Sequence, residues 1–140
     1  MEIRYLAVLD PQPEGGYVVE FSDVPGAVTE GATVEEALTN AAEALSGVLE
    51  SAIEHGHEIR VPGLGKASHL AHFVAPNARV QAALLVHFTR GDRTMAELAR
   101  ATETSWSAAK RLEDAQHWPS LKTLDRVATA MGKRLVLRME

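Results

Sequence analysis

The first third of the chain alternates apolar and polar residues with the two-residue period of short β-strands. Residues 3–9 are apolar on both alternations, which predicts a central strand covered on both faces. Asp10 and Pro11 end this segment, and Gly15 and Gly16 can adopt the positive φ of a tight hairpin turn. The pattern therefore predicts a hairpin whose second strand begins just after the two glycines.

The second predicted strand has one apolar face, formed by Tyr17, Val19 and Phe21. Pro25 and Gly26 then interrupt it, because proline lacks a backbone donor and glycine supplies flexibility, so the chain must bend there. Extended chain resumes at Val28 and Thr29. We therefore expect a short third strand after the bend.

Apolar residues recur every three or four positions after Thr33, which is the spacing of an amphipathic helix. Thr33 and Glu36 form a Thr-x-x-Glu capping box at its start, and Gly56 is suited to its C-terminal cap. The predicted apolar stripe consists of Val34, Leu38, Ala41, Leu45, Val48 and Ala52. We expect this stripe to pack on the sheet.

Glycine and proline interrupt the pattern between residues 60 and 68, which predicts a loop. Residues 70–74 would return to the sheet as a fourth strand, and Ala75, Pro76 and Asn77 would form the exit. The first part of the chain is therefore predicted to have the element order β-β-β-α-β.

Helical spacing begins at Asn77 and continues to Gly132. Gly91 ends a first helix, Thr94 and Glu97 form a second capping box, and Ser105 and Ser120 are suited to cap two further helices. The inward residues predicted for the first helix are Val80, Leu84 and Phe88, and those for the last are Leu121, Leu124, Val127, Ala128 and Met131. The second part is predicted to hold four short helices.

Residues 134–138 alternate in the manner of a strand that has no partner in its own helical region. Unpaired strand edges invite pairing with another chain, so a two-fold pair of these strands would form a dimer. The alternative is that the strand adds to the N-terminal sheet.

Composition indicates a globular protein, with 46% hydrophobic and 24% charged residues among 140. The absence of cysteine excludes disulfides and thiolate zinc sites. No apolar run is long enough to span a bilayer, and the N-terminus does not resemble a signal peptide, so we expect a cytoplasmic protein with no membrane contact.

The two parts of the chain carry opposite charge. Residues 1–76 hold three Lys and Arg against twelve Asp and Glu, a net charge of -9. Residues 77–140 hold eleven Lys and Arg against seven Asp and Glu, a net charge of +4. This asymmetry indicates two surfaces with partners of opposite charge, although an acidic surface also serves solubility alone.

One motif of the first part resembles the N-terminal hallmark of the HicB family of antitoxins. It runs as Gly-Gly-Tyr-x-x-Glu-x-x-Asp-x-Pro-Gly from Gly15 to Gly26, followed by Gly-x-Thr-x-Glu-Glu-Ala from Gly31 to Ala37. Ala27 stands where such proteins commonly have cysteine. The resemblance implies that residues 1–75 form a partial RNase H-like domain that binds a HicA-like mRNA-cleaving toxin. The candidate toxin contacts are Glu20, Asp23 and Glu30.

The four helices resemble a helix-turn-helix of the lambda-repressor and Cro type. The matching segments are Glu97-Leu98-Ala99, Arg111-Leu112-Glu113 and Pro119-Ser120-Leu121. A turn position that prefers glycine carries Glu103, and a left-handed glutamate costs roughly 1 kcal/mol. Residues 76–140 are accordingly predicted to be a DNA-binding and dimerisation domain, with a structural helical bundle as the alternative.

The third of these helices supplies the candidate DNA contacts. Trp106, Ser107 and Lys110 are predicted to face base edges, whereas Ser105 and Arg111 would contact phosphate or have structural roles. Lys122 is a further phosphate candidate. Trp106 could instead be a core aromatic or contact a thymine methyl group.

Enzymatic and metal-binding alternatives are not favoured by the residues present. A two-metal nuclease site needs several converging carboxylates, but Asp10, Glu20 and Asp23 lie at strand ends or turns. Two histidine pairs, His55 with His57 and His69 with His72, lack cysteine partners. We interpret them as solvent-exposed histidines or as core histidines with hydrogen-bond partners, and not as metal ligands. No cofactor motif is present, and we expect neither a cofactor nor catalysis.

Together these features predict an α+β antitoxin that neutralises a HicA-like mRNA interferase by direct binding. The same protein would repress its own operon by binding operator double-stranded DNA as a homodimer or homotetramer. The alternative is a free-standing helix-turn-helix regulator whose N-terminal domain only oligomerises or senses a ligand.

Overall fold

The chain folds into two compact units, which consist of residues 1–81 and 82–140. This computed structural model describes all 140 residues. The first unit combines an antiparallel sheet with a helix and the second unit is helical, so the predicted α+β class is confirmed. None of the helices has both the length and the apolar character required to cross a membrane.

Four strands form a single antiparallel sheet in the first unit. They are β1 (Tyr5–Pro11), β2 (Tyr17–Phe21), β3 (Val28–Gly31) and β4 (Ala71–Val74). Their order across the sheet is β3-β2-β1-β4, so the prediction that the first strand is central is confirmed. The hairpin between β1 and β2 turns on Gly15 and Gly16, which have φ values of 97° and 77°.

One face of the sheet is buried, and the other is only partly covered. Tyr5, Ala7 and Leu9 of β1 are at most 1% exposed, whereas Val8 on the opposite face is 40% exposed. The prediction that β1 is covered on both faces is therefore wrong at Val8, whereas Leu6 on the same face is partly buried against Gly65. The physical reason is that the unit has a single long helix, and one helix packs against only one face of a sheet.

The long helix α1 spans Val34–Glu54 and begins and ends where the sequence predicted. Thr33 accepts a hydrogen bond from the Glu36 backbone at 3.1 Å, and Gly56 follows the helix with a φ of 66°. Its buried residues are Ala37, Ala41, Leu45, Ser46 and Leu49. The stripe is thus rotated from the predicted one, since Val34, Leu38 and Val48 are only partly buried.

A glycine allows α1 to approach the sheet closely. Gly31 ends β3, and a Cβ built on it would lie 2.3 Å from the Ala37 backbone nitrogen. Asn40 strengthens this contact by donating a hydrogen bond to the Glu30 carbonyl oxygen at 2.8 Å. The first turns of α1 therefore pack against β3 only because residue 31 has no side chain.

The helical region contains four short helices, and the caps of the last three were predicted. Helix α2 spans Ala78–Arg90 and crosses the boundary between the two units; α3, α4 and α5 span Met95–Ala101, Trp106–Arg111 and Leu121–Ala130. Thr94, Ser105 and Ser120 each accept a hydrogen bond from a backbone N–H three residues later. These caps satisfy amide groups that would otherwise lack a partner.

The core of the second unit is small and lies between α2, α3, α4 and α5. Its buried residues are Val86, Leu98, Ala99, Ala109, Leu112, Val127 and Met131, against which Met95, Leu124 and Ala130 pack. The prediction that Leu121 points inward is wrong, because this side chain is 60% exposed. Leu121 is the first residue of α5 and lies before the part of the helix that packs on the core.

The turn between α3 and α4 contains the strained residue that the sequence indicated. Glu103 has a φ of 53° and is the one non-glycine residue with positive φ. Thr102 is buried and donates its hydroxyl hydrogen to the Leu98 carbonyl oxygen at 2.7 Å, and Thr104 N–H bonds to Ala99 at 2.9 Å. These hydrogen bonds hold the turn in place despite the strain.

The C-terminal segment forms no strand, so the prediction of a strand at residues 134–138 is wrong for the single chain. A strand requires a neighbouring strand for its hydrogen bonds, and the sheet consists of β1 to β4 only. Val136 and Leu137 are 72% and 65% exposed, so the apolar positions that suggested a strand have no cover.

A carboxylate fixes the end of α4 to α2. Arg90 donates to both Glu113 carboxylate oxygens, at 2.6 and 3.0 Å, and His87 Nδ1 lies 2.9 Å from one of them. Burial raises the pKa of Glu113. The hydrogen bonds and charges of His87 and Arg90 lower this pKa by a larger amount, so it lies below its ordinary value. The carboxylate is therefore charged and neutralised locally.

Replacing Gly31 by alanine is expected to destabilise the first unit by about 2 kcal/mol or more, because backbone atoms of Ala37 must move. The matched control is Gly47→Ala in α1, where a Cβ would meet nothing within 4 Å. That change is expected to stabilise the unit by about 0.5–1 kcal/mol. Urea unfolding of both variants measures the difference, and equal stabilities would contradict the proposed close packing.

Glu113→Gln is expected to destabilise the second unit by roughly 2 kcal/mol at neutral pH, because Arg90 loses its charged acceptor. A lowered folded pKa stabilises the folded state above the unfolded pKa, and this contribution is lost as pH falls through the folded pKa, below the ordinary 4.5. Denaturant unfolding at several pH values should show this loss in the parent protein and not in Glu113→Gln. Asp125→Asn, at an exposed position of α5, is the control and should retain the loss.

Candidate functional site

The partly exposed side of the sheet is a candidate binding surface of the first unit. We call it the open sheet face; its residues alternate with the buried residues of the four strands and are Leu6, Val8, Asp10, Val18, Glu20, Val28, Glu30, Ala71 and Phe73. Part of it is covered, because Gly65 lies against Leu6 and the Arg4 guanidinium lies 4.6 Å from the centre of the Phe73 ring. Val28 is 54% exposed and Val8 is 40% exposed. Exposed apolar side chains among carboxylates are typical of a protein-binding surface rather than of a solvated one.

Two of the three acidic residues predicted as toxin contacts lie on the open sheet face. Glu20 in β2 is the cross-strand neighbour of both Val8 and Val28, and Glu30 in β3 is the neighbour of Val18. Both glutamates are exposed. The sheet therefore places each carboxylate next to an apolar side chain on the same surface.

The third acidic residue, Asp23, has a partner within its own unit. Its carboxylate lies 3.4 Å from an Arg60 nitrogen, and its side chain is 21% exposed. The Arg60 carbonyl oxygen accepts a hydrogen bond of 2.7 Å from the Tyr5 hydroxyl. Burial, together with the negative charge of Asp23, raises the pKa of Tyr5 to about 12. Asp23 thus belongs to a cluster that ties the loop after α1 to the sheet.

Glu30 also borders a shallow cleft of about 690 Å³ next to the hairpin. Glu14 and Glu36 line the same cleft, together with the Asn40 side chain. Acidic residues around one concave surface are suited to a lysine or arginine side chain. The cleft extends the acidic character of the open sheet face toward the start of α1.

Helix α4 exposes most of the residues predicted to contact DNA. We call Ser105, Trp106, Ser107, Lys110 and Arg111 the α4 outer face; all five are exposed. Ala109 and Leu112 are buried and anchor the helix to the core of the second unit. Two glutamates flank α4 in the sequence: Glu113, two residues after Arg111, is paired with Arg90, whereas Glu103, two residues before Ser105, is exposed. The five residues of the outer face itself are basic, hydroxyl-bearing or aromatic.

Trp106 lies at the start of α4 with its indole 51% exposed, so the interpretation as a core aromatic is excluded. Lys110, one turn later, holds its ammonium 5.0 Å from the centre of the indole ring. This is within the distance at which a cation interacts favourably with an aromatic face. The two side chains form one composite surface.

The remaining predicted DNA contacts differ in what surrounds them. Ser105 accepts a hydrogen bond from the Ala108 backbone at 3.1 Å, so its side chain caps α4. Lys122 is exposed at the start of α5, beyond the Ser120 cap. Arg111 is exposed at the last position of α4.

The histidine and carboxylate groups do not form a metal site. No group of three or more His, Asp or Glu side chains is arranged to hold an ion. His55 and His57 stack on each other at 5.7 Å on the surface, and the His72 ring contacts the His69 carbonyl oxygen.

Sequence reasoning did not find the apolar members of the open sheet face. Val8 was assigned to a strand covered on both faces, since a strand pattern does not report how many layers cover a sheet, and no role was predicted for Val18 and Val28. The sequence did contain a signal for the exposed face. It predicts a single long helix after three strands, and one helix can cover only one face of a sheet.

Comparison with known proteins identifies the family. The family described as HicB-like antitoxin of bacterial toxin-antitoxin system matches residues 5–86. Antitoxin HicB 1 of Photorhabdus laumondii is 33% identical over 138 residues, which cover 99% of this chain and 88% of that protein. Antitoxin HicB of Escherichia coli K12 is 34% identical, over 98% of this chain and 99% of that protein. Antitoxin HicB 2 of Photorhabdus laumondii is 35% identical over 127 residues, covering 89% of this chain and 88% of that protein.

The match covers more than half of the chain, and these relatives align along nearly their whole lengths. The resemblance drawn from Gly15 to Ala37 is therefore confirmed. Antitoxins are regulatory proteins, which agrees with the expectation that the protein is not an enzyme. The chain belongs to the HicB-like antitoxin family of bacterial toxin-antitoxin systems.

Proposed function

We propose that this antitoxin neutralises a HicA-like mRNA interferase by direct contact and represses its own operon by binding DNA. Residues 1–75 would bind the toxin, and residues 76–140 would bind the operator. Bacterial mRNA and operator DNA lie in the cytoplasm, so the protein would act there. The proposal depends on two surfaces of opposite character, the open sheet face and the α4 outer face.

The open sheet face supports toxin binding by its combination of apolar area and negative charge. A ribonuclease that binds RNA needs a cationic surface, and such a surface is complementary to Glu20 and Glu30. The valines beside these glutamates supply apolar contacts that a small-molecule site or a purely electrostatic contact would not need. The partner is therefore a protein with basic residues around an apolar patch.

Inhibition would follow from occlusion rather than chemistry. A protein seated on the RNA-binding face of the toxin blocks substrate and competes electrostatically with RNA for the same cations. Asp23 would join this contact by exchanging Arg60 for a toxin cation, since the distance of 3.4 Å is that of a weak, partly exposed ion pair. The cleft bordered by Glu30 offers a second position for a toxin lysine or arginine.

The second unit supports operator binding through a helix-turn-helix formed by α3, the turn at Glu103, and α4. In such motifs the second helix enters the major groove, and its first residues contact base edges. The α4 outer face has hydroxyl groups, cations and an indole, which are suited to phosphates and bases. Lys122 would contact phosphate beside it.

The C-terminal segment supports assembly into a dimer or tetramer. Val136 and Leu137 are exposed, and residues 134–138 have the alternation of a strand without a neighbour. Pairing with the same segment of a second copy would supply the missing hydrogen bonds and cover the apolar side chains. Two α4 helices would then contact two half-sites of a palindromic operator.

Charge reversal on the open sheet face is expected to weaken toxin binding about tenfold or more, because Glu20→Lys and Glu30→Lys repel the cationic toxin. The toxin to be used is the small basic protein encoded beside this gene. Glu43→Lys, an exposed position on α1, makes the same charge change away from the face and is the control. Titration calorimetry measures the three affinities, and growth rescue on co-expression checks inhibition.

If the double variant binds as tightly as the Glu43→Lys control, the open sheet face is not the toxin site. If no neighbouring gene encodes such a protein, the free-standing regulator becomes the better account.

Lys110→Ala is expected to weaken binding to the DNA upstream of the gene about tenfold. It should also reduce the slope of log affinity against log salt concentration by about one. The physical reason is the loss of a cation from the α4 outer face. Lys66→Ala, an exposed lysine in the first unit, removes the same group elsewhere and should have little effect. Gel shifts at several salt concentrations provide the measurement, and unchanged binding by Lys110→Ala would remove α4 from the interface.

A further inference from the structure

The indole of Trp106 and the ammonium of Lys110 form a single exposed surface on α4. The two residues are four positions apart, so they lie on the same side of the helix, and the ammonium is 5.0 Å from the ring centre. The cation covers part of one ring face, while the indole as a whole is 51% exposed. Apolar ring surface and a hydrogen-bond donor are thus offered side by side.

The surroundings of this pair favour DNA over a protein as its partner. The exposed neighbours of Trp106 in sequence are the hydroxyl residues Ser105 and Ser107, and Arg111 lies at the end of the same helix. A protein-binding patch would surround an exposed tryptophan with apolar residues, whereas α4 surrounds it with hydroxyls and cations. These groups are complementary to phosphates and base edges.

In the major groove the two groups have different complements. Thymine is the base that presents a methyl group there, and an apolar side chain contacts it. Guanine presents the O6 and N7 acceptors, which lysine can bind. A separation of 5.0 Å between ammonium and ring centre lies between one and two base steps, which are about 3.4 Å each along a strand.

We infer that Trp106 and Lys110 together determine operator specificity by contacting a thymine methyl group and a guanine that are adjacent or separated by one base pair. Trp106 supplies the apolar contact, and Lys110 both donates to guanine and holds the indole in place. This inference rests on the DNA-binding role proposed above and adds the base identity and the residue that selects it.

The test compares two forms of the DNA fragment upstream of the gene, one made with thymine and one with uracil in its place. Uracil lacks only the 5-methyl group, so pairing is unchanged. The full-length protein is expected to bind the uracil fragment about fivefold more weakly in gel shifts. A third fragment containing 7-deazaguanine, which lacks the N7 acceptor, should also bind more weakly.

Variants assign these losses to the two side chains. Trp106→Ala should bind both the thymine and uracil fragments weakly, with less than about a twofold difference between them. Lys110→Ala should lose the sensitivity to 7-deazaguanine in the same way. Trp118→Ala replaces the other exposed tryptophan, which lies outside α4, and should keep the full thymine preference.

The outcomes separate this inference from the proposed function. Equal binding of the parent protein to thymine and uracil fragments overturns the inference while leaving DNA binding intact. A full thymine preference retained by Trp106→Ala also overturns it. Failure to bind any fragment at low salt overturns the DNA-binding role and the inference together. The comparison of fragments with the parent protein needs no variant, so it does not depend on whether a substitution affects folding.

Discussion

One helix packs against a sheet that has two faces, and this constraint governs the first unit. Helix α1 buries Ala37, Ala41 and Leu45 against the sheet, and the approach is close enough that position 31 has no room for a side chain. The other side of the strands has only partial cover, from Gly65 at Leu6 and from Arg4 at Phe73. Val8, Val28, Glu20 and Glu30 are exposed because the unit has one helix for a sheet with two faces, and not because the strands are poorly formed.

A different constraint applies to the second unit. Its short basic helix must be exposed without its cations forming ion pairs with nearby carboxylates. Ala109 and Leu112 attach α4 to the core, and Ser105 caps its start. Glu113 would place a negative charge at the end of the helix, but Arg90 and His87 neutralise it. The α4 outer face thus has two cations, and the carboxylate that follows the helix is paired elsewhere.

Local features of the fold could be predicted from the sequence, whereas features that depend on coverage by distant elements could not. The caps at Thr33, Thr94 and Ser120 depend on residues three positions apart, so their sequence signals were sufficient. The exposure of Val8 depends on how many helices exist, and that of Leu121 on where α5 leaves the core. The candidate site follows the same division, since α4 was found by its motif and the open sheet face was found only in part.

The uncovered C-terminal segment has a consequence for the cell that contains this protein. Val136 and Leu137 are exposed in the single chain, so their burial requires another molecule. If that molecule is a second copy, the population of the assembled form rises with total protein concentration. A regulatory response built on such an arrangement would have a dosage threshold instead of a linear scale. Moderate changes in synthesis or degradation would then be enough to switch it.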